Sequence, residues 1–167
     1  MTEPRRIWWA RPRKLCALER PGGGGRSHRP ERRAAEIDYL REAGVRVVIS
    51  LMPSRHNIGA YEDVGLAAIH LPVEQDEDGL FEAVEVVRRE TRKSGAVAIH
   101  ANRYTDFVAA ICAAHLREHR GTRVEESLAR AIEAGLVVTA GAAALVEADA
   151  DWAAGLPHVP SGDPAYF

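Results

Sequence analysis

The densest run of chemistry-bearing side chains in this 167-residue chain is His100-Ala-Asn-Arg-Tyr-Thr-Asp-Phe107. It follows the apolar Ala96–Ile99 and precedes the apolar Val108–Leu116. A carboxylate (Asp106) and an imidazole (His100) in one pocket can exchange protons with a bound metabolite. A guanidinium (Arg103) beside a helix start can hold an oxyanion. Each residue also has a plainer use. Thr105 or Asp106 suits the N-cap of the following helix, and Arg103 could pair with Asp106. His100 could orient the loop, and Tyr104 could fill space. Two further groups fall on neighbouring loops: Glu74 with Asp76, and Arg55 with His56. Solvated loop positions account for these equally well.

Other chemistries find little support. Cys16 and Cys112 are too far apart for a metal or redox pair and sit in apolar runs, as reduced core thiols do. No His/Cys/Asp set has metal-ligand spacing, so neither a metal nor another cofactor is expected. His115, on an apolar helix, reads as structural. The glycine run Gly22–Gly25 lacks the lysine or the GxGxxG register of a nucleotide loop. Residues 1–33 hold ten Lys/Arg against three Asp/Glu. No nucleic-acid-reading motif accompanies that charge, so nucleic acid is not the expected partner. No apolar run is long enough to span a bilayer, and no signal peptide is legible at the N-terminus; a cytoplasmic location is the expectation, with no membrane partner.

These residues must be positioned by a set of alternating elements. Ile7–Ala10 and Leu15–Leu18 read as a hairpin or two edge strands, and residues 20–30 as a basic, flexible Gly-rich loop. Helical spacing runs from Glu31 to Ala43, and the β-branched Val45–Leu51 is a buried strand. A short helix at 59–64 and an apolar run at Leu66–Val73 follow. Leu80–Arg92 is amphipathic, Ala96–His100 is a strand, and Thr105–Glu118 is a largely buried helix. Val124–Ala134 and Ala142–Ala148 are two more helices, and the Pro/Gly-rich tail from about 149 reads as irregular. This order implies a single α/β domain over 1–167, a central mixed sheet of about five strands flanked by helices. Ligands on such sheets bind beyond the carboxyl ends of strands, here the loops after Leu51, Val73 and His100.

The order of elements and several local segments resemble the dual-specificity and tyrosine phosphatases. KLCALERPGGGG is similar to their opening strand and its exit, AEIDYLREAGVRVVISL to their helix-to-strand segment, and YEDVGLAAIHLPVEQDED to the strand before their general-acid loop. GAVAIHANRYTDFVAAICAAHL falls where they place strand, phosphate loop and central helix. The resemblance covers roughly residues 7 to 147. It implies a His-Cys-x5-Arg motif, whose thiolate attacks phosphorus while the arginine and loop N–H groups hold the phosphoryl oxygens. Aligned on His100, the cysteine position is Ala101 and the arginine position Phe107. The general-acid position falls on Gln75. No Cys-x5-Arg occurs anywhere in the chain.

Alanine has no nucleophilic atom and phenylalanine no donor, so the cysteinyl-phosphate route is closed on this alignment. Three readings remain. One is a pseudophosphatase-like protein that binds a small anionic metabolite, a phosphorylated ligand or a partner in the old pocket. Another is a repurposed enzyme doing thiol-free acid–base chemistry with Asp106, His100 and Glu74. The last is a structural interaction module. Asn102, Arg103, Tyr104, Thr105, Arg55, His56 and Asp76 are the expected ligand contacts.

Overall fold

The alternation of β-branched and helical segments produces eleven elements among the described residues. The computed structural model describes residues 2–24, 26, 28–102 and 104–153, with side chains only as far as 147 in the last helix. Strands β1 (Ile7–Arg11), β2 (Leu15–Leu18), β3 (Val45–Ser50), β4 (Ala67–His70) and β5 (Ala96–His100) form one sheet in the order β1-β2-β5-β3-β4. The hairpin β1–β2 is antiparallel, and β2, β5, β3 and β4 run parallel to one another. The sheet is mixed and five-stranded, as the sequence implied.

Six helices cover it: α1 (Pro30–Glu42), α2 (Ile58–Asp63), α3 (Glu77–Thr91), α4 (Asp106–Arg120), α5 (Val124–Glu133) and α6 (Ala140–Ala153). Side-chain alternation divides them between two layers. Leu15, Ala17, Val47, Ile49, Val97 and Ile99 face the larger core, built with α3, α4, α5 and α6. Cys16, Leu18, Val48, Ala96 and Ala98 face the smaller one, with Ile37 and Leu40 of α1 and Ile58 and Tyr61 of α2. Helix α4 is buried continuously from Phe107 to Leu116 because the sheet and α3, α5 and α6 surround it. Its alanines let those neighbours approach, which explains the AAICAAHL pattern. Both thiols are wholly buried, and desolvation raises both well above the ordinary cysteine value.

Two expectations need correction. The Gly-rich loop is not a loose arm where it is described: Pro21 to Gly24 are buried against α1. Gly22 has φ +92°, and a Cβ there would lie 2.6 Å from the His28 ring and 2.7 Å from Arg33 Cβ. The glycines serve close approach rather than mobility. Helix α6 continues to Ala153, past the expected start of the irregular tail at 149; residues 154–167 lie outside the described residues. No helix among the described residues is long and apolar enough to cross a membrane.

Candidate functional site

The parallel strands β2, β3, β4 and β5 all end on one side of the sheet, and their four exit loops meet there. The centre of that region is His100, the last residue of β5 and wholly buried. One ring nitrogen, Nδ1, is 2.8 Å from the Ala101 carbonyl, which only a donor N–H can satisfy. The other, Nε2, is therefore an acceptor, and the Tyr61 hydroxyl donates to it over 2.8 Å. Burial pushes the imidazole down to about 4, outweighing the opposing pull of the Ala101 hydrogen bond. His100 is a neutral ring fixed at both nitrogens.

The network continues outward through α2. Asn57 precedes α2 with a left-handed φ of +71°, a conformation asparagine tolerates. Its Nδ2 donates to the Pro21 carbonyl (3.0 Å) and reaches the Tyr61 hydroxyl (3.4 Å). Its Oδ1 accepts from Arg20 (3.4 Å) and Arg33 (3.5 Å). Desolvation holds the Tyr61 phenol well above the ordinary tyrosine value, so its proton stays available to His100.

Arg20, two residues beyond β2, is only 6 % exposed. Its backbone N–H donates to the Asn102 carbonyl of the β5 loop (3.0 Å), which joins the two exits. One terminal nitrogen reaches His56 Nδ1 at 3.3 Å and Asn57 Oδ1 at 3.4 Å. Its Nε is enclosed and has no acceptor. No carboxylate pairs with this guanidinium among the described residues; Arg33 lies near enough to lower its affinity for its proton further, after desolvation. Charge this deep usually has a counter-charge. The buried Glu36 is already committed to Arg32 and to the Gly22 N–H.

The two residues that the sequence resemblance aligns with the phosphatase cysteine and arginine lie in the interior. Ala101 and Phe107 are both buried in the larger core. The phenyl ring occupies a core site where the resemblance implies an arginine aimed at phosphate. Thr105 is the N-cap of α4, but no side-chain cap bond forms. Its buried hydroxyl instead accepts from Val137 N (2.7 Å) and donates to Val137 O (2.9 Å). The Asp106 carboxylate accepts from the Thr139 N–H. The capping expectation is thus corrected for both residues: Thr105 stands at the N-cap without a side-chain cap bond, and both side chains fasten the α5–α6 connection.

Asp76 caps α3, accepting from Gly79 N at 2.8 Å. Glu74, Arg55, His56, Asn102 and Tyr104 are exposed around the loops. Arg103 lies outside the described residues. The three residues expected to share acid–base work are not assembled for it: His100 is spent on Tyr61 and Ala101, Asp106 on Thr139, and Glu74 stands on the β4 exit. A cavity of about 510 Å³ opens beside this region, lined by Arg5, Arg6, Arg32 and Tyr104 among others. No cluster of three metal-ligating side chains occurs among the described residues.

Arg20, Asn57 and Tyr61 are the residues that sequence reasoning missed. Arg20 looked like one charge in a basic arm. Its position directly after an apolar strand, beside the glycines, was the available signal. His70 was also missed; its Nε2 donates to the Met52 carbonyl (2.8 Å) and ties the β4 exit to the β3 loop.

Comparison with known proteins gives the fold. No family model matches the chain, and no curated protein does. Solved structures do. PTPMT1 in complex with PI(5)P superposes with a TM-score of 0.67 at 11% identity, covering 90% of this chain and 97% of that one. Human DUSP28 gives 0.62 at 19% identity over 87% and 95%. Tk-PTP in its active form gives 0.64 at 16% identity over 86% and 95%. The chain has the fold of the dual-specificity and tyrosine phosphatases.

Proposed function

We propose that this protein, a phosphatase fold without the nucleophile, binds an anionic or phosphorylated small ligand at the carboxyl end of its sheet and does not hydrolyse it through a thiolate. The observation that carries the reading is Arg20: a nearly buried guanidinium, hydrogen-bonded at its backbone to the Asn102 loop, with Nε unused and no carboxylate paired with it among the described residues. Its partners Asn57 and His56 carry no negative charge, so they aim the fork without cancelling its charge. Arg33 and the exposed Arg55 add positive potential, and the N-terminus of α4, whose N-cap Thr105 makes no side-chain cap bond, adds to it. Arginine is suited to such a site because its planar fork matches an oxyanion.

The reading is tested with inorganic phosphate and sulfate. Both should raise the melting temperature in a saturable way at constant ionic strength, and Arg20→Gln should reduce that rise. An aryl phosphate should show no turnover above background. Turnover abolished by Asp106→Ala would overturn the non-hydrolytic reading, and absence of any anion-dependent stabilisation would overturn the binding one.

A protein partner is a second reading with its own support. Tyr104 and Val137 are 60% and 43% exposed and both line the neighbouring cavity among arginines. Tyr104→Ala should then weaken a phosphopeptide while leaving inorganic phosphate unaffected.

A further inference from the structure

The opposite end of the sheet holds a second cleft that the proposed function does not use. It measures about 350 Å³ and is lined by Arg11, Arg88, Thr91, Arg92, His115, Glu118 and His119. Arg11 is the last residue of β1, Arg92 is the C-cap of α3, and the others come from the C-terminal halves of α3 and α4. Arg11 pairs with Leu15, at the start of β2, whereas His100 pairs with Leu18, at its end. Roughly 10 Å of strand separates the two levels.

The charges in this cleft do not balance. Glu118 is taken by Arg88 at 2.5 Å, and Arg88 also holds Glu85. No carboxylate among the described residues pairs with Arg11. One of its terminal nitrogens donates to His115 Nε2 (3.1 Å), and its Nε is enclosed without an acceptor. Arg120 lies close enough to oppose its charge, after desolvation. His119 stacks on His115 with ring centres 5.6 Å apart. Basic residues in the last turns of α3 and α4 are ordinary complements to helix dipoles. That explanation does not reach Arg11, which comes from the sheet and has an enclosed donor without an acceptor.

We propose that this cleft is a second oxyanion site, which takes a tetrahedral oxyanion, free or as the phosphoryl group of a small phosphomonoester, on the Arg11 fork with Arg92 and His119 at its rim. The volume suits a small ligand rather than a bare ion alone. His115 positions the fork. Burial, then the Arg11 charge, lowers its imidazole to about 4, which keeps Nε2 an acceptor at neutral pH. Thr91 contributes no free donor, since its hydroxyl is bonded to the Val87 and Arg88 carbonyls.

The test follows the imidazole proton resonances of His115, His119 and His56 at pH 7.5 while inorganic phosphate, and separately glycerol 3-phosphate, replaces chloride at constant ionic strength. The expected result is saturable movement of the His115 and His119 signals, with a midpoint on the order of millimolar. Arg11→Gln should raise that midpoint at least tenfold. Arg92→Gln, on an exposed side chain, should raise it about threefold and serves where Arg11→Gln does not fold. Arg20→Gln should leave the midpoint unchanged while silencing His56, which separates this site from the other. Saturation by the phosphomonoester at lower concentration than phosphate identifies an organic phosphate as the occupant; equal midpoints identify the free oxyanion. Movement linear in concentration, or an unchanged midpoint in both Arg11→Gln and Arg92→Gln, overturns the proposal.

Discussion

The two ends of the sheet carry the same unusual part in different settings. At the carboxyl end Arg20 reaches His56, and at the amino end Arg11 reaches His115; each leaves an enclosed Nε without an acceptor. Around Arg20 the neighbours form a continuous network through Asn57 and Tyr61 to His100, closed by the Pro21 and Ala101 carbonyls. Around Arg11 there is one histidine, a cleft and other cations. The difference teaches that the carboxyl end is preorganised by polar groups buried too deep to rearrange cheaply. The amino end is held by helix packing, with its charges left at the surface of a groove.

The largest expected contrast is in pH dependence. His100 and His115 are both neutral in the fold at neutral pH, each with its imidazole lowered to about 4. The unfolded chain takes up those protons near pH 6.5, so stability is full above that value and falls as pH drops toward 4. A wholly buried histidine of this kind contributes roughly 3 kcal/mol over the window. His115 lines a cleft and should contribute less. Urea unfolding at pH 7.0 and 4.5 should show a smaller pH-dependent loss in His100→Gln than in the unmodified chain, and an intermediate one in His115→Gln. A flatter response in His115→Gln than in His100→Gln would reverse the comparison.

Tyr61→Phe probes the same network without touching a charge. It deprives His100 Nε2 of its donor and Asn57 Nδ2 of one acceptor, both buried. Leaving such groups unpaired costs about 1–3 kcal/mol. The denaturation midpoint should fall with an unchanged slope. A neutral outcome would mean that the carboxyl end is no more rigidly organised than the amino end.

Thr105→Val sharpens the boundary of that network. Valine keeps the shape and removes both bonds to Val137. The expected cost is about 1–2 kcal/mol. Anion-dependent stabilisation should survive, because the hydroxyl fastens the α5–α6 connection rather than the ligand. Loss of phosphate response in this variant would return Thr105 to the ligand contacts.

How much of this was legible in the sequence follows from the range of the interactions involved. Sheet, helices and their order were readable because each rests on local patterning: Val45–Ser50 as a β-branched run, Leu80 to Val87 as a helical stripe. Ala101 and Phe107 read as apolar from type alone, and both lie in the larger core. The roles of Thr105 and Asp106 were not, because their partners Val137 and Thr139 lie over thirty residues away and nothing local distinguishes a cap from a clamp. His100 was read as a loop-orienting group, yet its partner Tyr61 comes from helix α2, thirty-nine residues earlier. Arg20 was hidden for the same reason: it differs from its basic neighbours only through the fold that buries it.

The smallest expected change in stability belongs to Arg20→Gln, and it tests the functional half of the comparison most directly. Glutamine keeps a donor for Asn57 while removing a buried guanidinium that no carboxylate compensates and that Arg33 opposes. Lost hydrogen bonding and relieved desolvation act in opposite directions, so the net change should stay within about 1 kcal/mol. A residue retained purely for structure would cost several times that when truncated, because a broken buried network leaves its remaining members unpaired. Chemical denaturation with and without saturating phosphate reads both quantities in one experiment. Near-unchanged stability together with a reduced phosphate increment assigns Arg20 to a ligand. A large loss of stability without phosphate makes it a strut of the Asn57–Tyr61–His100 network, and the carboxyl end then differs from the amino end in architecture alone.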